Sequence, residues 1–462
     1  MYRKVKNIHM VGIGGIGMSG IAEVLLNLGY RVSGSDMKKT NITSRLAGLG
    51  AKIKFTHNES NGEDADVLVI STAIKDDNPE IAAAKKRKIP VIPRAEMLAE
   101  LMRMKYGVAV AGAHGKTTTT SLIATILTLA DLDPTVVIGG KLNVFGSTAK
   151  LGKGDLLIAE ADESDGSFLK LSPTIAVVTN IDLEHLDFYK NLKRIRESFI
   201  NFINKIPFYG LSIICHDDKN IRDLIPAIEK RFITYGLSNN ATLKAINIRQ
   251  QGIKISFNVI WNGKNLGKIN MKLPGIHNIY NALASICVAV EFDIDFKIIK
   301  EGLENFSGVE RRFQIKGRGK KVLFIDDYAH HPTEIKATLE AARELKKGEI
   351  HVIFQPHRYT RTKYLFNQFP NSFNHADHLI LTDIYPAGEQ KIPGINAEIL
   401  CQAIKKKGHK NIVYIAKKED IPDFLSEKLK PGDMVITMGA GNIYETGEQI
   451  LKNLKKKDRN VS

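Results

Sequence analysis

The feature that most constrains the fold is a glycine turn between two segments of different periodicity. An apolar run at 107–111 leads into Gly112-Ala113-His114-Gly115-Lys116-Thr117, and a helical pattern follows over 119–129. Strand, turn and helix in that order make a phosphate-binding loop. Backbone amides of residues 113–118 cradle phosphates, Lys116 reaches the terminal ones and Thr117 is placed to hold Mg²⁺. The loop is a variant, because neither Val110 nor Ala111 is the glycine that the common spacing requires, and Gly112 supplies the early turn.

Strand and helix patterns alternate on both sides of this loop, which indicates mostly parallel sheets. At 462 residues the chain exceeds what one core usually supports. Three blocks are expected, at 1–105, 106–307 and 308–462. The first carries apolar strand patterns at 6–11, 30–35, 65–71 and 89–92. In the second, residues 242–272 depart from the pattern: they alternate and contain Asn262-Gly263, a hairpin signal, so an antiparallel insertion or edge is expected there. The third opens on polar, basic residues and then alternates strands at 322–325, 351–354, 378–382, 412–415 and 433–437 with helices. The fold class is α/β in three domains: a Rossmann-like first domain, a central domain like a phosphate-loop ATPase, and a Rossmann-like third domain.

A second glycine turn follows the first strand. Gly12, Gly14, Gly15 and Gly17 precede a helix, and Asp36 closes the second strand. Taken alone this fits a dinucleotide fingerprint, with NAD or FAD as candidate ligands. It demonstrates phosphate cradling better than it demonstrates either cofactor. Two phosphate turns in separate domains argue for an enzyme that uses ATP on a second, nucleotide-like substrate.

Composition removes several classes. Apolar residues make up 43% of the chain and charged residues 25%, as in a folded globular protein. No apolar run is long enough to span a bilayer, and the apolar start is broken at once by glycines, so neither membrane insertion nor a signal peptide is expected and the protein is placed in the cytoplasm. Cys215, Cys287 and Cys401 lie far apart, form no metal or redox motif, and read as small buried residues. The formal net charge of +16 raises nucleic acid as a partner. The lysines are spread along the chain without interleaved aromatics, so no nucleic-acid partner is expected.

The chemistry-bearing residues cluster after strand patterns. Glu160 ends the strand at 156–159, followed by Asp162, Glu163 and Asp165, while Asp182, Glu184, His185 and Asp187 follow the strand at 175–179. Hard carboxylate oxygens suit Mg²⁺. Asp326-Asp327-Tyr328-Ala329-His330-His331 and Gln355-Pro356-His357-Arg358-Tyr359-Thr360-Arg361 follow strands of the third block. Zinc on the first of these turns is the weaker reading, since no further ligand spacing supports it. Arg358 and Arg361 offer bidentate recognition of a carboxylate or phosphate. Arg311 and Arg312 stand at the junction of the second and third blocks, either as residues that move in on domain closure or as a surface ion-pair linker.

Taken in order, these segments resemble the Mur ligase family over essentially the whole chain: HMVGIGGIGMSG with GSD, GAHGKTTTT, AEADESDGSF, TNIDLEHLD, PGIHNIYNALA, VERRF, DDYAHHPTE, FQPHRYTRT, TDIYPAGE and GAGNI. The resemblance turns the first glycine cluster from an NAD site into a UDP-sugar site. It implies joining of L-alanine to the lactyl carboxylate of UDP-N-acetylmuramate through an acyl-phosphate, with ATP and Mg²⁺, by a monomer or weak homodimer.

The same resemblance implies residue roles. Gly112, Ala113, His114, Gly115, Lys116, Thr117 and Thr118 hold ATP phosphates, Asn278 (with His277 nearby) fixes the adenine, and Arg312 and Asp327 complete the ATP site. Thr117 and Glu160 hold one Mg²⁺ and His185 a second. Gly14, Gly15, Gly17, Asp36 and Ser71 bind the UDP-sugar. His330, Arg358 and Arg361 form the amino-acid side, with His330 the candidate base. Two departures stand out: Glu184 where aspartate commonly precedes the histidine, and Ala113 where threonine is more usual. The alternatives are a recycling ligase that attaches a ready-made peptide to the same sugar nucleotide, a NAD-dependent dehydrogenase, and a non-enzymatic nucleotide-binding scaffold. The dehydrogenase leaves GAHGKTTTT unexplained, and the scaffold leaves the polar turns of the third block unexplained.

Overall fold

The computed structural model describes residues 5–71, 73–138, 149–345 and 348–459. Three sheets follow one another along the chain. The first is all parallel, in the order Lys52–Lys54, Arg31–Ser35, Asn7–Val11, Val67–Ile70, Val91–Pro93. Its strand order reverses at Asn7–Val11, so the first glycine turn leaves the sheet at a switch point, where ligand crevices form.

The central sheet has ten strands among the described residues. Tyr106–Ala111, the strand that feeds the phosphate loop, lies in its middle between Leu156–Glu160 and Ile175–Val178, parallel to both. The run Gly107–Ala111 is buried because helices cover both faces, which accounts for its unbroken apolar sequence. Leu243–Gln251, Lys254–Trp261 and Lys264–Met271 form the expected antiparallel edge. Its hairpin turns on Asn262 and Gly263, with φ of 46° and 83°, the left-handed pair that a two-residue turn needs.

The third sheet runs Gln314–Gly319, Val322–Asp327, Met434–Met438, Ile350–Phe354, His378–Leu381, Ile412–Tyr414. All its pairs are parallel except the first. The polar, basic opening of the third block is therefore itself a strand. It is an edge strand with two glycines in which Ile315 and Arg318 are exposed and Lys316 pairs with Glu448, so it carries no apolar alternation for a hydrophobicity reading to find. A second difference concerns the helix after the phosphate loop, which begins at Lys116 rather than near 119. Its first turn is threonine-rich and carries no apolar period. All three cysteines are buried, and no described helix is long and apolar enough to cross a membrane.

Candidate active site between the central and third sheets

The loop after Tyr106–Ala111 is pinned from the neighbouring strand end. The His114 amide donates to Asn180 Oδ1 (2.9 Å), and the His114 carbonyl accepts from Thr179 Oγ1 (2.7 Å) and Asn180 Nδ2 (3.0 Å). Gly115 has φ +81°, and a Cβ there would stand 2.4 Å from Asn281 Oδ1. Glycine is thus required twice over, for the turn and for the approach of the helix Ile276–Glu291. The first amides of the helix Lys116–Leu129 have no partner within the helix and are free for an anion.

Beside the loop lies a cavity of 510 Å³, a size suited to a nucleotide. His114, Gly115, Thr118, Asn278, Arg312 and Asp327 all line it, so residues from the central and third sheets share one chamber. The Asn278 amide is already engaged: its nitrogen donates to Pro274 O and His277 Nε2, and its oxygen accepts from Asn281. Asn278 therefore shapes the wall and orients His277, whose pKa burial lowers to about 4.

Lys116 folds back on its own loop. Its Nζ donates to Gly112 O (2.6 Å), Ala113 O (3.2 Å) and Glu163 Oε1 (2.8 Å). Burial opposes the ammonium, but Glu163 holds it charged and raises its pKa. Glu163 in turn stands 3.8 Å from His185 Nε2, and His185 Nε2 is 3.2 Å from Glu184 Oε2. Glu184 Oε1 then pairs with Arg361 Nε at 3.1 Å. A relay of charged groups thus runs from the phosphate loop to the third domain. Burial would push the Glu184 carboxyl up, but Arg361 and His185 hold it well below the usual range.

On the third-domain side, most of the DDYAHH turn is held by other partners, while His331 lies with His114 and Asp182 in a group whose ligand atoms are within 4.8 Å of one another. Asp326 pairs with Arg311 and Thr437, and Asp327 accepts the backbone N–H of Phe313 and Ala329. Burial raises Asp327 to about 6 against the pull of Arg312. His330 Nδ1 donates to Tyr328 O (2.9 Å), which leaves Nε2 as an acceptor, and burial with the nearby Arg361 lowers its pKa to about 4. Arg312 lies over the Tyr328 ring and 3.6 Å from Glu334. Arg311 is built into the third domain through Asp326 and the carbonyls of Gly439 and Gly441, and is not a surface linker.

Arg358 and Arg361 line a second, small cavity of 20 Å³ with Glu184 and His185. Arg358 has φ +69°, unusual for a side-chain-bearing residue, and its amide is held by Tyr385 O. Strain of this kind is often retained at functional turns. Its side chain is 42% exposed and 4.0 Å from Glu389, so its guanidinium is largely free. Arg361, by contrast, is engaged by Glu184 and by His357.

In the first domain, Asp36 Oδ2 accepts the Gly14 N–H (2.9 Å) and Oδ1 accepts that of Lys38 (3.1 Å). Asp36 thereby closes the glycine turn. Ser71 packs against Gly12, and a Cβ at Gly17 would meet the Arg94 guanidinium at 2.8 Å. Arg94 also reaches Asp162 (3.2 Å), tying the first glycine turn to the acidic turn of the central domain. The structure thus separates the named residues into a group around the first glycine turn, a group lining the large chamber, and His185, Arg358 and Arg361 around the second, small cavity.

Reading the sequence singled out Glu163 and Asp182 only as members of acidic runs and Glu184 as a departure beside His185, and assigned no role to Glu334, Asn180 or Asn281. For two of these the signal was position: Asn180 follows the strand Ile175–Val178 and Glu334 lies in the first turn of the helix Pro332–Leu345, whereas Asn281 stands in the second turn of the helix Ile276–Glu291.

The donors fit Mg²⁺. Thr117 opens the helix after the loop, Glu160 ends the strand beside the one that feeds the loop, Glu163 has a buried Oε2 with no hydrogen-bond partner, and ligand atoms of Glu163, Glu184 and His185 lie within 4.8 Å of one another. A separate group, Glu349, His351 and His378, lies at the opposite end of the third sheet, where each histidine already has its own carboxylate.

Comparison with known proteins gives a consistent result. Family descriptions match in three consecutive stretches: "Mur ligase family, catalytic domain" over 7–106, "Mur ligase middle domain" over 110–289 and "Mur ligase, glutamate ligase domain" over 311–441. The UDP-N-acetylmuramate–L-alanine ligase of Geotalea daltonii is 58% identical over 456 residues, covering 99% of this chain and 100% of that protein. The enzyme of the same name from Geobacter sulfurreducens is 57% identical over 458 residues, 99% of each. Among solved structures, the UDP-N-acetylmuramate–alanine ligase of Thermotoga maritima superposes with a TM-score of 0.83 at 30% identity, covering 98% of this chain and 100% of that one. A murein peptide ligase from Psychrobacter arcticus, at TM-score 0.72 and 24% identity over 97% and 99% of the two chains, shares the fold.

Proposed function

This chain belongs to the Mur ligase family, and we propose that it joins L-alanine to the lactyl carboxylate of UDP-N-acetylmuramate, converting ATP to ADP and phosphate. The observation that carries the reading is the relay Lys116–Glu163–His185–Glu184–Arg361, which puts a phosphate-loop lysine and a third-domain arginine around two neighbouring buried acidic turns. Phosphoryl transfer and amine attack require that proximity.

We assign residues 1–105 to the UDP-sugar, 106–307 to ATP and 308–462 to the amino acid. The lactyl carboxylate attacks the γ-phosphorus in line, ADP leaves, and an acyl-phosphate forms. Lys116 exchanges Glu163 for the β- and γ-phosphates, so its charge is already in place when negative charge develops on the transferring group. Thr117 and Glu160 would hold one Mg²⁺ and His185 a second, supplying further neutralisation of phosphate charge when bound. Arg358 and Arg361 hold the L-alanine carboxylate. The neutral amine then attacks the acyl carbon, and phosphate departs with the former carboxylate oxygen. His330, neutral with Nε2 as acceptor, orients that amine and takes its proton only weakly. Enclosure between the central and third sheets protects the acyl-phosphate from water. The reaction belongs in the cytoplasm, and a monomer or weak homodimer suffices for it.

The test is phosphate release by the purified protein with single omissions. Turnover should need ATP, Mg²⁺, UDP-N-acetylmuramate and L-alanine together. Equal turnover with a tripeptide in place of L-alanine would replace this reading with the recycling ligase.

A further inference from the structure

His114 is a phosphate-loop residue whose ring does not face its own loop. Its Nε2 is 2.9 Å from Asp182 Oδ2, on the central domain, and its Nδ1 is 3.5 Å from Glu334 Oε1, on the third. The ring also packs on His331, with centroids 4.7 Å apart. One of its two acidic partners makes a second contact across the gap, and the other orders its own domain. Asp182 Oδ2 accepts the Thr333 hydroxyl at 2.7 Å, and Glu334 Oε2 accepts the backbone N–H of His330 and His331 at 3.1 and 3.3 Å. Glu334 therefore orders the turn that carries His330, while Asp182 holds the helix Pro332–Leu345 at its first turn. The backbone of His114 is fixed by Asn180 and Thr179, so its ring reaches Asp182 and Glu334 from an anchored loop.

We propose that His114 is a positioning residue that couples the nucleotide loop to the amino-acid turn of the third domain. The inference rests on the assignment of the loop to ATP and of His330 with Arg358 and Arg361 to L-alanine. The His114 geometry suits a cation: Nε2 is hydrogen-bonded to Asp182 and Nδ1 faces Glu334 across 3.5 Å, and although burial opposes the charged form, these two carboxylates raise the pKa to about 10. An uncharged side chain of similar reach cannot bind two carboxylates in this way. Movement of the loop on binding triphosphate is thus passed through Asp182 and Glu334 to the turn at 328–331, and the third domain's position is passed back by reciprocity.

The test uses the full-length protein, with His114→Gln on one side of the contact and Thr333→Val on the other, plus the double variant. Steady-state kinetics vary each substrate in turn, and ATP binding without L-alanine is measured by titration calorimetry. Each single variant should raise the L-alanine KM about fivefold or more and lower kcat, while the ATP Kd changes less than about twofold. The double variant should be little worse than the worse single, because both break one linkage. A His114→Gln defect confined to ATP binding, or single effects that multiply, would overturn the coupling. Thr333→Val is a near-isosteric change at the helix start, so if His114→Gln does not fold, an unchanged L-alanine KM in Thr333→Val alone overturns it. Wild-type protein that binds no ATP would instead remove the underlying assignment, and the proposal with it.

Discussion

Glu184 and Arg361 form a 3.1 Å ion pair between the central and third domains, with side chains 7% and 13% exposed. The pair gives the two candidate alanine-binding arginines different burdens. Arg358 is largely free for substrate, whereas Arg361 must also neutralise a buried carboxylate. Replacing either by lysine loses the planar fork. Arg358→Lys and Arg361→Lys are each expected to raise the L-alanine KM at least about tenfold, roughly 1.4 kcal/mol. Only Arg361→Lys should also lower the melting temperature. Steady-state kinetics and a thermal melt read the two effects separately, and a normal L-alanine KM in both variants would reassign the arginines.

Lys116 and Glu163 make a second buried pair, at 2.8 Å. Removing one partner of such a pair leaves an uncompensated charge. Lys116→Ala is expected to abolish ligation, to leave UDP-N-acetylmuramate binding by calorimetry largely intact, and to destabilise the protein by on the order of 3 kcal/mol. Adding Glu163→Gln should restore much of that stability and none of the activity. If the double variant is less stable than Lys116→Ala, the pair is not what holds the empty loop.

Stability should fall in acid over a defined window. Burial lowers His277 and His330 to about 4, and burial with Arg361 and His330 lowers His357 to about 3. Against an unfolded value of about 6.5, the unfolded chain binds more protons below that pH, so stability present above it is lost as pH falls toward 4. Asp327, raised by burial to about 6, works the other way: its contribution is full below about 3.9 and is lost as pH rises through about 6. The histidines outnumber it. Denaturant midpoints between pH 7 and 4 should decline, and His357→Asn should reduce the slope by about one proton. An unchanged slope would mean His357 is protonated in the folded state.

Gly115→Ala tests the loop itself. At φ +81° and with Asn281 Oδ1 2.4 Å from the new methyl, the loop or the helix Ile276–Glu291 must shift. ATP affinity is expected to drop about a hundredfold or more, while UDP-N-acetylmuramate binding in the first domain stays within about threefold. Equal losses for both ligands would indicate general unfolding, which a melt distinguishes.

Much of the architecture was legible because local patterns carry it. The buried parallel strands read as apolar runs, the Asn262-Gly263 hairpin read as a turn, and both glycine turns read as strand-to-helix junctions. The strand Gln314–Gly319 was illegible because an edge strand facing water needs no apolar period. The early start of the helix at Lys116 was illegible because its first turn is shaped to serve a ligand and not a core.

The sequence by itself determined which chemical groups exist and which of them end strands: Lys116 and Thr117 in a phosphate loop, Glu160 and His185 on neighbouring acidic turns, Arg358 and Arg361 after a third-domain strand. Short-range rules suffice for this, since a turn and the helix it opens involve only a few consecutive residues. Partnership was decided by the tertiary structure alone. Glu163 meets Lys116 across 47 positions, Asp182 meets Thr333 across 151 and Glu184 meets Arg361 across 177. Each of these acids sits in a run of similar carboxylates, and no local signal ranks one above its neighbours. The choice falls to whichever oxygen the packing of two sheets leaves buried beside a cation, because a carboxylate left there unpaired would cost more than the fold can spare.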